Sequence, residues 1–574
     1  MGRVASRNEN VNTETIPAVK HLDDLDKVKD NNNRKTFPDP KPPKRCKKDI
    51  LPDVSKLKHI DDHVMKTPRY AERSIEKLAE YLIKPATNDI EKVRAFYKWV
   101  TENISYDTES YFGRRRNVSN DPSSLLSCKS SVCDGYASIF QLLCDHAGIP
   151  VMKINGHSKG YSYKPGFKFS KDTPSNHAWN AVYVCGEWRF IETTWGAGTV
   201  GNNKQFKKNF TEFYFLTDPE HFIVDHYPCF DNDEVESAKW QLLKKPMSPE
   251  TFNMRIKPSR HAREWDIRFK SHKMNVLEMN KTIDIKFHTK STKLDDVNVK
   301  LFDSKGCNKE QYVGIRKQNK TFFVTVTPPS SGEYTLDIYG SVGADSKTLE
   351  CLITYVIKCQ TVDSGICPFP KFDSFYGPVE NWKERGFQNV GKIPTSITSK
   401  NGEVCVPIKV KDGTKVMATL KNSDDVKLVQ YTLLEMDKHL KLRARLPKKG
   451  YYRLIVFSQF NSESSYTPAV NILVQNLKEP DITSPFPQTY PETLKFKCSL
   501  VEPIMRDLPA NSDVRFRFSS SVMSEAAIAR EHIAKKTANT WDTTIKTPPF
   551  GEVRVSGKIN NDETSWVVYS FRVK

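Results

Sequence analysis

Apolar residues fall three and four apart through SIEKLAEYLIKP (74–85) and NDIEKVRAFYKWVTENI (88–104), at Ile75, Leu78, Leu82, then Val93, Phe96, Val100 and Ile104. That spacing gathers them on one helical face and predicts two amphipathic helices, the second capped by Asn88 or Asp89. In SCKSSVCDGYASIFQLLCDHAGIP (127–150) a third stripe runs through Tyr136, Phe140, Leu143 and Ala147, and Gly148 and Pro150 stop it. The period then changes. HAWNAVYV (177–184) and WRFIETTW (188–195) alternate as strands do, and Cys185-Gly186-Glu187 between them predicts a hairpin. Helices first, then an antiparallel sheet, predict an α+β domain ending near Pro228.

Beyond that point the pattern is strand-like and repeats. VTVTPPSSGEYTLDIYG (324–340) is matched by LRARLPKKGYYRLIVFS (442–458) and echoed by TTIKTPPFGEVRVSGKI (543–559). Each runs a strand into proline, a short turn, a glycine and an alternating strand. The glycines at 332, 450 and 551 are spaced like immunoglobulin-sized sandwiches. The organisation expected is a disordered basic leader (1–58), an α+β core (59–230) and three β-sandwich repeats (231–362, 363–480 and 481–574). The leader assignment rests on polar sequence, with NNN at 31–33 and PDPKPPKRCKK at 38–48, that has little to bury.

Composition narrows the function. The 574 residues carry a formal net charge of +19, but the lysines are spread along the chain and no recognition motif accompanies them. Nucleic acid is therefore not expected as a partner, whereas acidic surfaces are compatible. The sequence has no apolar stretch long enough to span a membrane and no signal-peptide core, so the twelve cysteines are expected as free thiols in the cytoplasm. They lack paired CxxC spacing, and no EF-hand loop is present, so neither zinc nor calcium, nor any other cofactor, is expected. Gly2 and Ser6 fit the M-G-x-x-x-S pattern of N-myristoylation, which would add a weak membrane contact.

Cys133 opens the third helix. A thiol there meets the positive end of the helix, with Ser130 and Ser131 as candidate caps and backbone N–H groups able to hold an oxyanion. Gly135 would leave room for a substrate backbone beside the sulfur. His177 opens the first hairpin strand, and Glu192 closes the second. A turn at Gly186-Glu187 puts both on one face but leaves them about four residues out of register, roughly 13 Å along the strand. Nucleophile, base and carboxylate in this order follow the logic of a cysteine-protease triad.

The blocks VCDGYASIFQLLCDHAGIP and HAWNAVYVCGEWRFIETTWGAG resemble the papain-like transglutaminase core. With EKVRAFYKWVTENISYDTESYF (91–112), WQLL (240–243) and the β repeats, the chain is most similar to the branch containing kyphoscoliosis peptidase and the hillarins. The resemblance implies Cys133 as nucleophile, His177 as general base and Glu192 where the family normally has Asp. Trp195 and Gly196 would then shield the His–carboxylate bond. It further implies a cytoskeleton-associated peptidase acting on protein substrates, with filamin-like partners. Two alternatives stand beside it: a non-catalytic scaffold in which Glu192 marks lost activity, and a protein-glutamine cross-linker.

Overall fold

The computed structural model describes residues 38–574 apart from 116–120, 231–232, 290–293, 344–347, 380, 389–392, 437–438, 461–464 and 561–562. The expected myristoylation site at Gly2 lies outside the described residues. Residues 38–58, expected in the disordered leader, are instead laid along the core. Trp188 Nε1 donates to Pro38 O at 2.9 Å, Arg189 donates to Arg45 O, and Leu51 and Leu57 are buried. The backbone of this polar segment supplies acceptors that the sheet's buried donors need.

Two helices form the heart of the core: α1 (Asp89–Asn103) and α2 (Cys133–His146). Asn88 caps α1 through its side chain, which accepts from Glu91 N–H. Val93, Phe96 and Val100 on α1 pack with Tyr136, Phe140 and Leu143 on α2, all at zero exposure. Full burial of such side chains contributes about 1.5–3 kcal/mol each. Gly148, at φ 69°, takes the left-handed conformation that ends α2.

Behind the helices lies an antiparallel sheet of β1 (Val151–Ser158), β2 (His177–Val184), β3 (Glu187–Ile191) and β4 (His226–Pro228), in the order β3-β2-β1-β4. β2 is buried at all but one position, so both of its faces are covered rather than one, as its expected alternation implied. Gly156 of β1 pairs with His177 and lies against the β4 backbone; a Cβ there would sit 2.1 Å from Tyr227 O and 2.5 Å from Trp179. Gly156→Ala is expected to cost about 1–3 kcal/mol, read from the urea midpoint, because the obstacle is main chain and cannot rotate away.

The remainder is β-sandwich. The first unit faces one four-stranded sheet (Val276–Asn280, Glu350–Thr361, Gly332–Ser341, Asp296–Asp303) against another (Val313–Gln318, Thr321–Val326, Ile283–Thr289, Ile267–Phe269). Two further units follow with their own cores, around Leu454 and around Trp541. The repeat seen in the sequence is structural: Gly332, Gly450 and Gly551 each open a long strand at positive φ, and each strand pairs with the last strand of its unit. Tyr334 and Tyr452 each donate a hydroxyl to the carbonyl four residues back, Ser330 and Lys448. The third repeat has Val553 at this position, which is why its sequence matches the others less well.

Candidate functional site

Helix α2 delivers Cys133 at its first turn. The N-cap is Val132, with no side-chain cap, so the expected role of Ser130 and Ser131 is not realised; they instead form a short strand paired with Ser105–Tyr106. Gly135 also has another purpose. A Cβ on it would fall 2.1 Å from Ser131 Oγ, so the glycine admits Ser131 rather than a substrate. α2 is locked to the sheet by Asn180, whose Nδ2 donates to Ala137 O at 3.1 Å, and this fixes Cys133 relative to the start of β2.

His177 begins β2 and its imidazole faces Cys133. The hairpin register differs from that expected. Val184 pairs with Glu187 and Asn180 with Ile191, so the turn is Cys185-Gly186, at φ 54° and 78°. Both φ values are positive, as a type I′ turn requires, and Gly186 meets the demand. This register halves the predicted offset between His177 and Glu192. They become near-diagonal neighbours on one face, within reach of long side chains.

Glu192 spans what remains. It follows β3 and N-caps α3 (Thr193–Ala197): Oε1 accepts from Thr194 N–H at 2.7 Å and Trp195 N–H at 3.1 Å. Oε2 lies 2.7 Å from His177 Nε2. With Nε2 held by the carboxylate, Nδ1 is the nitrogen left for Cys133. Burial opposes charge on His177, but Glu192 and the Cys133 thiol outweigh it and raise the imidazole to about 10. Burial likewise pushes Glu192 upward, and His177 and His226 overcome it, bringing the carboxyl to about 2. The arrangement favours an imidazolium and a carboxylate in a dry site.

A transglutaminase-like superfamily model matches residues 76–193, and a KY-like, immunoglobulin-like domain model matches residues 249–370 and 387–487. Kyphoscoliosis peptidase of Homo sapiens is 27% identical over 87% of this chain and 72% of its own length. Hillarin of Drosophila melanogaster is 26% identical over 74% of this chain and 54% of its own length. Residues 76–193 of this chain form a transglutaminase-like domain. A crystal structure of a TGase aligns at 20% identity over 29% of this chain and 38% of that one, with a TM-score of 0.17.

This transglutaminase-like site holds one residue that the sequence reading missed. His226, fully buried on β4, places Nε2 3.3 Å from Glu192 Oε2. Its signal was the polar pair Asp225-His226 inside the otherwise apolar run FIVDHYP (222–228). Trp195 covers both imidazoles, with ring centroids 5.4 Å from His177 and 4.4 Å from His226. Gly196 does not join that cover; its missing Cβ admits the Tyr97 hydroxyl, 2.3 Å from where the Cβ would be. Among the described residues, His177, Glu192 and His226 gather ligand-type atoms within 4.8 Å of one another. Glu192 Oε2 is already committed to His177, and no ion is assigned to the group. Also among the described residues, no helix is long and apolar enough to cross a membrane.

Proposed function

We propose that this protein is a transglutaminase-like cysteine peptidase that performs amide acyl transfer through Cys133, His177 and Glu192. The observation that carries the reading is the 2.7 Å His177–Glu192 contact beside Cys133, which the added methylene of Glu does not prevent. Cys133 Sγ attacks the amide carbonyl carbon, His177 gives its proton to the leaving nitrogen as the C–N bond breaks, and a thioester remains. Water then adds to the thioester, His177 takes its proton, and the acid departs from Sγ. The substrates proposed are proteins of the cytoplasmic cytoskeleton, filamin-like ones among them, as the sequence resemblance implies. An amine in place of water would give the cross-linking alternative. The scaffold alternative loses its main support, since it rested on a misplaced Glu192.

The test is the pH profile of iodoacetamide alkylation at Cys133, read by mass spectrometry beside His177→Ala. Cys133 is only 2% exposed, which slows alkylation at every pH alike, so the shape of the profile is decisive. An ordinary thiol with a pKa near 8.5 loses about 150-fold in rate between pH 8.5 and 6. Cys133 is expected to lose less than about tenfold, and His177→Ala to restore the ordinary profile. An ordinary profile in the unaltered protein would sink the enzymatic reading and leave a scaffold.

A further inference from the structure

Glu192 is not the end of the charge network. His226 lies between two carboxylates, with Nε2 3.3 Å from Glu192 Oε2 and Nδ1 2.9 Å from Asp225 Oδ1. Asp225 receives both guanidinium arms of Arg263, Nη2 at 2.5 Å and Nη1 at 3.2 Å. None of these side chains is more than 5% exposed. From Glu192 to Arg263 the groups run carboxylate, imidazole, carboxylate and guanidinium, each against the next. In a dry interior such a chain is stable only when every link is filled, since one missing member leaves a neighbour buried and uncompensated.

Arg263 comes from outside the core. It lies on α4 (Arg260–Glu264), whose Ala262 is part of the first sandwich's apolar core and whose Ser259 cap donates its N–H to Leu352 O at 2.8 Å. A second clamp joins the same two units: Lys159, just after β1, donates Nζ to Phe252 O at 2.5 Å and Arg255 O at 3.0 Å, and Lys257 donates back to Lys159 O. The His226 ring cannot swing away. It stacks on Phe222 at 4.2 Å and is walled by Trp195 at 4.4 Å and Trp179 at 5.2 Å.

We propose that His226, Asp225 and Arg263 are positioning residues that hold Glu192 against His177, so that the first sandwich unit completes the catalytic centre. The inference rests on the Cys133–His177 reading above. It accounts for the tolerance of Glu at 192. A longer and freer side chain than Asp is held by two backbone N–H groups through Oε1 and by His177 through Oε2, with the walled-in His226 ring 3.3 Å from the same oxygen. The other ionisable groups facing this chain include the phenols of Tyr97, Tyr106, Tyr136 and Tyr214 around Glu192, the ammonium groups of Lys159 and Lys257 around Asp225, and His221 beside Arg263.

The experiment compares the ratio of Cys133 alkylation rates at pH 6 and pH 8.5 in the full chain, for the unaltered protein and for Arg263→Met, Arg263→Lys and Asp225→Asn. Protection of the buried Cys144 reports whether each variant is folded. Arg263→Met and Asp225→Asn are expected to lower the ratio roughly tenfold, and Arg263→Lys to recover part of it, as coupling through packed charges allows. Folded variants with an unaltered ratio overturn the proposal. If Arg263→Met does not fold, Asp225→Asn decides on the same criterion. An ordinary-thiol profile in the unaltered protein removes the catalytic reading itself, whereas a plateau there with unaffected variants removes only the positioning role.

Discussion

Glu192→Gln is expected to abolish the reactivity of Cys133: amide turnover falls by roughly 10⁴, as when a catalytic histidine loses its orienting carboxylate. Alkylation at pH 6 falls to that of an ordinary thiol, about two orders of magnitude. The substitution is nearly isosteric, and Gln Oε1 can still accept from Thr194 and Trp195 N–H. The amide NH₂ must then face His177 Nε2, which becomes an acceptor. The proton moves to Nδ1, where the thiol is, and the dyad holds the wrong tautomer. Glu192→Asp is expected to fall between the two, since the shorter arm reaches the α3 N-terminus or His177 but not both. A Glu192→Gln protein with the original alkylation profile would refute this account.

The same substitution should alter the pH dependence of stability. Glu192, lowered from 4.5 to about 2, contributes as a carboxylate above 4.5, a contribution lost as pH falls through about 2. His177, raised from 6.5 to about 10, contributes as a cation below 6.5, a contribution lost as pH rises through about 10. The pair therefore acts in full only between pH 4.5 and 6.5. Urea titrations should show a maximum there that Glu192→Gln flattens.

Much of this site was legible in the sequence because its parts obey local rules. Cys133 announces itself by opening a helix, and His177 and Glu192 share parity across a hairpin, which survives any even shift of register. The register itself was misread. Gly186-Glu187 and Cys185-Gly186 both look like turns, and only the φ of 54° at Cys185 decides between them. His226, Asp225 and Arg263 obey no local rule. They meet because β4 pairs with β1 and because α4 belongs to the next unit, contacts that no periodicity encodes. The segment 38–58 was misjudged for a related reason: its order comes from backbone carbonyls offered to Trp188 and Arg189, and composition does not register those.

Arg94→Met is expected to destabilise the core by about 3 kcal/mol, the lower end for a broken buried pair, because both carboxylates keep some solvent. Arg94, 1% exposed on α1, holds Asp61 through Nε at 2.7 Å and Nη2 at 2.6 Å, and Glu212 through Nη1 at 2.5 Å and Nη2 at 2.6 Å. Its guanidinium also lies over Phe210 and Phe215, at 5.3 and 5.2 Å. Removing the cation strands Asp61 and Glu212, two carboxylates from distant chain segments. The loss should appear as a lower urea midpoint with an unchanged slope. Arg94→Lys should recover only part of it, since an ammonium cannot grip two carboxylates in fork geometry. A change below 1 kcal/mol would mean that both acids reach water once the arginine is gone.

Arg263 alters how this molecule can be divided. Judged by compactness, the first unit ends near Pro228, where its sheet is complete. Judged by charge, it ends at α4, inside the first sandwich. A fragment cut at the earlier boundary would keep Cys133, His177 and Glu192 and still lose Arg263, leaving Asp225 without either guanidinium hydrogen bond. Domain dissection of this chain should therefore keep α4 and the sandwich around it with the Cys133 site.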